Sequence, residues 1–237
     1  MVMRLHRFYV NKPLGEEIVV ESAGSEKEIL HQWLHVFRYK PGDDVLLFSS
    51  HSVGSDILYR ITSVDKGEAL LSRVSTVPHI VPKSDITLVM ALVKKDTFET
   101  VVRQATELGV SRIIPLMAAR SEKKALNMER LEKIAVEASE QSGRGTVPVI
   151  SPIMTLDETL ESTKTQRNIV GSLHGEQFTS LANEPLCLWV GPEGGWADEE
   201  EKYFTDQGFF LMRSVATTLK ADTAAVNLLS LLTGYSS

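Results

Sequence analysis

The chain has 237 residues, of which 43% are hydrophobic and 24% charged, and these values exclude intrinsically disordered and fibrous proteins. The single cysteine, Cys187, excludes a disulfide scaffold and a cysteine-rich zinc site, and it is typical of a protein from the reducing cytosol. The net charge of −6 gives no indication of a nucleic-acid partner, because contacts to phosphate come from Lys and Arg.

No segment of the chain has the pattern of an export or membrane signal. The first seven residues, Met1 to Arg7, include no apolar stretch long enough for a secretory signal. The longest uninterrupted apolar run, residues 86–93, is far too short to span a bilayer. We therefore expect a cytoplasmic protein with no membrane partner.

The first 76 residues have the pattern of a small β-rich domain. Strands are predicted at residues 7–10, 44–48, 56–64 and 69–74. A short helix is predicted over residues 26–36, where the apolar side chains recur at helical spacing. Several short strands with one helix indicate a β-barrel-like module. Pro78 and Pro82 disfavour helix and strand in the stretch that follows, so we place the domain boundary between residues 76 and 77.

From residue 77 onward, predicted strands and helices alternate. The strands are predicted at residues 86–93, 112–116, 147–150, 168–173, 186–190 and 209–214. The helices are predicted at residues 97–108, 128–142, 156–162, 198–206 and 222–232. Repeated β-α units favour a mainly parallel sheet covered on both faces, with ligands beyond the carboxyl ends of its strands. The predicted fold class is therefore α/β, with domains at residues 1–76 and 77–237.

The sharpest local motif is a glycine-rich loop, defined as residues 191–196 (Gly-Pro-Glu-Gly-Gly-Trp), between a buried strand and an acidic helix. Its glycines allow the backbone to approach a ligand closely. The loop lacks the Lys-Ser/Thr pair and the GxGxxG spacing of phosphate-binding loops. Glu193 and the acidic turn after it would repel a phosphate, whereas a cationic sulfonium fits the same charge. The acidic residues 198–201 have a simpler explanation, since they complement the dipole of the helix that they begin.

A second cluster, residues 217–225, lies between the last predicted strand and the last predicted helix. Asp222 or Thr223 is able to cap that helix, which is a purely structural role. However, this turn is expected to emerge at the same sheet edge as the glycine-rich loop. Lys220 would then be the one cation near an otherwise acidic pocket.

Three other kinds of site lack support in the sequence. The six histidines show no metal-ligand spacing, so we expect no metal. No Ser-His-Asp or Cys-His arrangement can be argued from the order of the residues. A dinucleotide-dependent oxidoreductase is disfavoured because its glycine fingerprint is missing.

Several short motifs follow one another in a specific order along nearly the whole chain. They are Arg7-Phe8-Tyr9-Val10, His35-Val36-Phe37-Arg38, Pro41-Gly42-Asp43, Lys94-Lys95-Asp96, Glu107-Leu108-Gly109-Val110, Ile113-Ile114-Pro115-Leu116 with Arg120-Ser121, Glu137-Ala138-Ser139-Glu140-Gln141 with Arg144 and Pro148, and Gly191-Pro192-Glu193-Gly194-Gly195. In their order and spacing these motifs resemble the RsmE family of small-subunit ribosomal RNA methyltransferases, within the SPOUT superfamily.

The resemblance implies more than the residue pattern alone. It implies a PUA-like RNA-binding barrel in residues 1–76 and a trefoil knot in residues 77–237, although general topology rules disfavour knots. It also implies an obligate homodimer that binds S-adenosylmethionine at three loops of the knot. The implied reaction is methylation of uridine N3 in 16S-type ribosomal RNA.

The implied reaction leads us to expect roles for individual residues. The cofactor would be held by Leu173, Gly191, Pro192, Glu193, Gly194, Gly195, Ser214, Val215, Thr218, Leu219, Thr223 and Ala224. Lys220 would stabilise negative charge on the base, and Glu193 or Asp222 would accept its proton. The candidates for phosphate contacts are Arg4, Arg7, His35, Arg38, Arg120 and Arg144.

The last loop departs from the family pattern. The family usually reads Arg-Ile-Leu-Arg-x-Glu-Thr-Ala, whereas residues 217–224 read Thr-Thr-Leu-Lys-Ala-Asp-Thr-Ala. Thr217 thus replaces one arginine and Lys220 the other, and lysine keeps the charge without the planar fork. Val215 stands where the family has glycine. We expect cofactor binding to survive these changes.

Two alternatives therefore stay open. The chain is also compatible with a SPOUT enzyme that methylates a ribose 2′-hydroxyl, which uses the same cofactor on another atom. The altered last loop is compatible with a non-catalytic RNA-binding or ribosome assembly factor. Nucleoside analysis separates the first alternative from N3 methylation, and S-adenosylmethionine binding separates the second.

Overall fold

The computed structural model describes residues 5–51, 54–65, 67–79, 82, 85–122, 125–177 and 184–233. The chain divides into two compact units, residues 1–81 with 139–146 and residues 82–138 with 147–237. None of the helices in the described ranges is long and apolar enough to cross a membrane.

The first unit is built on one five-stranded sheet. Its strands are β1 (Arg7–Tyr9), β2 (Glu17–Glu21), β3 (Asp44–Phe48), β4 (Ser55–Asp65) and β5 (Glu68–Pro78), in the spatial order β1-β3-β4-β5-β2. β1 pairs with β3 in parallel, and the other pairs are antiparallel. The helix α1 (Lys27–His31) continues into a π-helical turn at Gln32–Phe37, and this segment ends at Arg38 with a left-handed φ of 56°. Trp33 and Tyr59 are fully buried within the core that the sheet and this segment enclose.

Two features of this unit differ from the sequence expectations. β2 was not predicted, because only its pairing with β5 distinguishes this short segment with charged ends from a loop. β5 runs on to Pro78, past the end predicted at residue 74. Pro78 stands opposite Ser55 at the last position of the ladder, where a missing N–H removes no interior hydrogen bond.

The second unit contains a six-stranded parallel sheet. Its strands are β6 (Ile86–Ala91), β7 (Arg112–Leu116), β8 (Val149–Ile150), β9 (Arg167–Gln177), β10 (Leu186–Val190) and β11 (Phe210–Arg213), in the spatial order β11-β9-β10-β6-β7-β8. Every pair in it is parallel, which confirms the predicted α/β class with a parallel sheet.

The helices of the α/β region are α2 (Lys95–Glu107), α3 (Met128–Ser142), α4 (Leu156–Thr163), α5 (Asp198–Asp206) and α6 (Ala221–Leu232). The sheet is buried on both faces, and β6 shows why its sequence is continuously apolar. Leu88 contributes to one core, with side chains of α2 and α6, and Val89 contributes to another, with Phe204 of α5. Because successive side chains of a strand point to opposite faces, a strand between two helix layers needs apolar residues at every position.

Candidate functional site

A cavity of about 320 Å³ lies at the carboxyl ends of β10 and β11, beside the second half of β9. We call it the edge cavity. Three segments form it: residues 171–174 of β9, the glycine-rich loop, and the turn from residue 214 into the start of α6. This is the edge at which parallel α/β sheets bind ligands.

Most of the residues that the sequence predicted to hold a cofactor come together here. The edge cavity is lined by Leu173, Gly191, Pro192, Glu193, Gly194, Gly195, Ser214, Val215, Thr218, Leu219 and Ala224. Thr223 is not among the lining residues, because it lies in the first turn of α6 with an exposed side chain. Its backbone N–H donates to Asp222 Oδ1 at 2.8 Å, so the two residues interact with each other at the helix start.

The glycine-rich loop is a tight turn packed on its own tryptophan. Gly195 has a φ of 69°, which disfavours any other residue, and its N–H donates to the carbonyl oxygen of Pro192 at 2.8 Å. A Cβ on Gly191 would lie 3.1 Å from the buried indole of Trp196. The indole Nε1 in turn donates to the carbonyl oxygen of Gly171 at 3.2 Å, which links the loop to β9.

A buried carboxylate supports the loop from the other side. Glu200 of α5 is 6% exposed and accepts hydrogen bonds from the backbone N–H of Ala197 at 2.8 Å and of Ala119 at 2.9 Å. Glu200 therefore satisfies a free donor at the start of α5 and joins that helix to the segment after β7. The structural explanation of the acidic helix start holds for this residue.

β9 and β11 lose register beside the cavity. Leu211 pairs with Val170, but the next residue, Met212, pairs with Glu176. The five residues between these partners leave the ladder, and 171–174 form a wall of the cavity. A Cβ on Gly175 would lie 2.5 Å from the backbone oxygen of Leu211, so the crossing requires glycine.

The charges of the edge cavity are mainly acidic. Glu193 and Glu201 both line it, and the hydroxyl of Ser172 donates to Glu201 Oε1 at 3.4 Å. Among the described lining residues, Arg213 is the one lysine or arginine. The cavity can therefore accept a ligand with positive charge more readily than a polyphosphate.

Of the three candidate catalytic residues, only Glu193 lines the cavity. Lys220 is not among the lining residues, although Leu219 and Ala221 on either side of it are, and its catalytic role stays a prediction. Lys220 stands immediately before α6, and its side chain is exposed. Asp222, in the first turn of the same helix, also lies outside the lining.

Two of the arginines predicted to contact phosphate are largely enclosed by protein atoms. The guanidinium of Arg7 donates to both carboxylate oxygens of Asp56, at 2.6 and 2.9 Å, and its side chain is 11% exposed. It also donates to the carbonyl oxygens of Ser139 and Arg144. Arg144 is itself only 4% exposed, and its Nη2 donates to Thr146 Oγ1 at 3.0 Å. Protein acceptors thus surround most of the Arg7 guanidinium, and contact of either arginine with a phosphate stays a prediction.

The other candidates for RNA contact have different surroundings. His35 and Arg38 are exposed at the end of the π-helical turn. Arg120 is 48% exposed at its side chain, but it donates to backbone oxygens of the glycine-rich loop. Arg4 lies outside the described residues.

Several lining residues were not predicted from the sequence. They are Gly171, Ser172, His174, Val190, Trp196, Glu201, Met212, Arg213, Thr217, Ala221 and Leu228. The position of β9 in the predicted sheet was a usable signal for residues 171–174, since ligands bind near strand ends. No cluster of three or more His, Cys, Asp or Glu side chains suited to a metal ion occurs in the part of the chain that the structure describes.

Comparison with known proteins adds independent findings. Residues 81–233 match the family described as the RNA methyltransferase domain. Over 231 residues the chain is 29% identical to the ribosomal RNA small subunit methyltransferase E of Rickettsia conorii, covering 94% of this chain and 93% of that protein. It is 28% identical over 241 residues to the protein of the same name from Aquifex aeolicus, covering 98% and 100% of the two chains.

A solved structure extends the similarity to three dimensions. The crystal structure of a ribosomal RNA small subunit methyltransferase E from Neisseria gonorrhoeae, bound to S-adenosyl methionine, superposes with a TM-score of 0.85. The two proteins are 25% identical, and the match covers 97% of each chain. The similarity thus includes both units of the fold.

Proposed function

Because this chain belongs to the RsmE family of RNA methyltransferases, we propose that it methylates N3 of a uridine in 16S ribosomal RNA with S-adenosylmethionine. The observation that carries the proposal is the edge cavity, where three chain segments close around an acid-bearing space at the ends of parallel strands. The whole-length similarity to a relative that binds S-adenosylmethionine supports it.

The residues of the edge cavity fit this donor. Its volume of about 320 Å³ lies at the lower end of the roughly 300–1,000 Å³ typical of small-molecule sites. Gly171 and Gly191 keep the walls close, because a Cβ at either position would meet Leu228 or Trp196. The carboxylates of Glu193 and Glu201 favour a positively charged ligand over a phosphate-rich dinucleotide.

Three segments would hold the donor: residues 171–174, the backbone of the glycine-rich loop, and residues 214–219 with Ala224 of α6. When bound, S-adenosylmethionine supplies the methyl group, which moves to N3 as its bond to sulfur breaks and leaves S-adenosylhomocysteine. The walls of the cavity orient the reacting groups, and alignment of this kind is a large part of the rate advantage.

The chain must also handle a proton. Uracil N3 carries a hydrogen in the neutral base, which must leave as the new bond forms, and negative charge then spreads onto the two carbonyl oxygens. Glu193 is exposed at the cavity and is our candidate to accept the proton. Asp222 is a second candidate, at the start of α6. The target base must be unstacked to enter.

Further elements belong to the same proposal. Residues 1–76 act as a PUA-like RNA-binding barrel, for which the exposed His35 and Arg38 provide contacts to the phosphate backbone. Residues 77–237 form the SPOUT domain with its trefoil knot, and the active form is a cytoplasmic homodimer without a metal. The similarity of the whole chain to the Neisseria gonorrhoeae structure supports this organisation.

Nucleoside analysis tests the proposal. The protein is incubated with isotopically labelled S-adenosylmethionine and small ribosomal subunits from cells that lack the modification, and the RNA is digested for mass spectrometry. We expect labelled N3-methyluridine. Labelled 2′-O-methylated nucleosides would replace this reaction by ribose methylation, and failure to bind S-adenosylmethionine in calorimetry would indicate a non-catalytic assembly factor. Free 16S RNA, run in parallel, shows which form of the substrate is used.

A further inference from the structure

We propose that Arg213 is a catalytic residue of this methyl transfer, which stabilises the negative charge on the uracil carbonyl oxygens as N3 loses its proton. The inference rests on the proposed function and adds the residue that makes N3 reactive. Nothing in the sequence pattern singled out Arg213, which emerges only from the pairing of β11.

The register shift between β9 and β11 sets the position of Arg213. After the shift, Met212 and Arg213 pair with Glu176 and Gln177 at the far end of β9. Both residues line the edge cavity, but Met212 is completely buried, whereas Arg213 is exposed. An exposed residue of the lining is accessible to a base that enters from solvent.

The charge of Arg213 is also uncommitted. Its side chain makes no hydrogen bond or ion pair with any residue that the structure describes, in contrast to Arg7 and Arg120, whose guanidinium groups bind protein oxygens. A free guanidinium offers five N–H donors and cannot be deprotonated by a neighbouring base. Arg213 can therefore donate to an oxyanion that develops in the edge cavity and stay charged throughout.

Alternative sources of positive charge are less well placed. Lys220 does not line the cavity, and Thr217, where the family pattern has an arginine, lines it without a charge. His174 lines the cavity as well, but an imidazole presents fewer N–H donors than the five of a guanidinium. The acidic residues Glu193 and Glu201 disfavour a phosphate at this place, so a base carbonyl is the better partner for Arg213.

The test uses a substrate whose base loses its N3 proton more easily. Single-turnover methylation is measured on subunits reconstituted with transcribed 16S RNA that contains either uridine or 5-fluorouridine, whose N3–H is more acidic. The variants are Arg213→Ala, Arg213→Lys and, as a matched control, Arg103→Ala. The control removes an exposed arginine of α2 that is not among the residues lining the edge cavity. Affinity for S-adenosylmethionine and thermal unfolding are measured for each.

We expect Arg213→Ala to slow transfer to uridine about 100-fold, as for the loss of one donor to an oxyanion. Affinity for S-adenosylmethionine should stay within about twofold of wild type, because the proposal assigns Arg213 to the base and not to the cofactor. Loss of a charged contact to the cofactor would weaken its binding about tenfold or more. The 5-fluorouridine substrate should recover most of the lost rate, Arg213→Lys should be intermediate, and Arg103→Ala should match wild type.

Several outcomes would overturn the role. An equal loss on both substrates would show that Arg213 does not stabilise charge on the base. A parallel fall in the affinity for S-adenosylmethionine would show that Arg213 binds the carboxylate of that cofactor. A loss of rate that disappears at saturating RNA would show that Arg213 binds a phosphate. If wild type itself forms no N3-methyluridine, the proposed function fails too. If wild type forms it and Arg213→Ala keeps the full rate, only this inference fails.

Discussion

Arg120 Nη1 donates a hydrogen bond to the carbonyl oxygen of Trp196 at 2.8 Å and another to that of Gly194 at 3.2 Å. Arg120 follows β7, whereas the two acceptors belong to the glycine-rich loop. One guanidinium thus joins the segment after one strand to the loop after another. Because the donor is charged, these contacts are stronger than ordinary backbone hydrogen bonds. The shape of the edge cavity depends on a residue that does not line it.

The first prediction follows from this contact. Arg120→Ala should weaken S-adenosylmethionine binding about tenfold, because a hydrogen bond from a charged group contributes roughly 1.5–3 kcal/mol and part of that holds the loop. The affinity of Arg120→Lys should lie between those of wild type and Arg120→Ala, since lysine keeps the charge but not the planar fork of the guanidinium. Titration calorimetry gives the affinities. If the affinity for S-adenosylmethionine is unchanged and RNA binding is weaker, Arg120 instead contacts phosphate, as predicted from the sequence.

Much of the α/β fold was readable from the sequence. The strand Leu186–Val190 and the helix Asp198–Asp206 have the bounds that were predicted, because a short apolar run ends at glycine and proline and an acidic turn begins a helix. In β2 the local signal was too weak, since that strand is defined by its pairing with β5. Local chemistry thus specified elements whose boundaries carry glycine, proline or charge.

The candidate site was only half readable for a related reason. Glu193 and its loop follow a strand directly, so the position of the strand located them. The cavity wall at residues 171–174 and the place of Arg213 depend on how β9 and β11 pair, a contact between residues about 40 positions apart. A register shift leaves no signal in the spacing of either strand alone. Whether the side chain of Lys220 faces the cavity depends on the exact start of α6, which local sequence patterns do not determine.

The second prediction concerns Gly175, where β9 crosses β11. A Cβ there would lie 2.5 to 2.7 Å from backbone atoms of Leu211 and Met212, which cannot rotate away. Gly175→Ala should therefore lower the free energy of unfolding by about 1–3 kcal/mol or more and weaken S-adenosylmethionine binding. Gly15→Ala is the control, since its Cβ would meet only the oxygen of Glu17 at 3.4 Å. Equal urea denaturation curves for both variants would contradict the close crossing.

The third prediction compares two ion pairs of similar geometry and different burial. Arg7 contacts both oxygens of Asp56 at side-chain exposures of 11% and 4%, whereas Arg60 contacts both oxygens of Asp44 at 53% and 25%. Asp56→Ala removes the carboxylate that contacts both Arg7 and, at 3.2 Å, the imidazole Nδ1 of His79, and should cost about 3–5 kcal/mol of stability. Asp44→Ala should cost far less, because water replaces the lost partner. Similar losses in the two variants, measured by denaturant unfolding, would show that burial is not the deciding factor.

The fourth prediction concerns the one cysteine. Cys187 is completely buried in β10, and burial raises the pKa of its thiol from 9.0 to about 12, against smaller opposing effects of Thr163 and Arg112. Since the thiolate is the reactive form, a disulfide reagent at pH 8 should leave the folded protein unmodified and label one thiol after denaturation. Rapid labelling of the folded chain would contradict the burial.

The raised pKa of the Cys187 thiol also makes the stability of the fold depend on pH under alkaline conditions. Below pH 9 the thiol is neutral in both the folded and the unfolded chain, so it adds no pH dependence. Between pH 9 and about 12 the unfolded thiol ionises and the folded one does not, so the thiol lowers stability as pH rises, by up to roughly 1.4 kcal/mol per pH unit. Burial also raises the pKa of Tyr39 and Tyr59, whose effect begins above pH 10. The difference between wild type and Cys187→Ala isolates the cysteine: we expect the two stability curves to run parallel below pH 9 and wild type to fall more steeply above it.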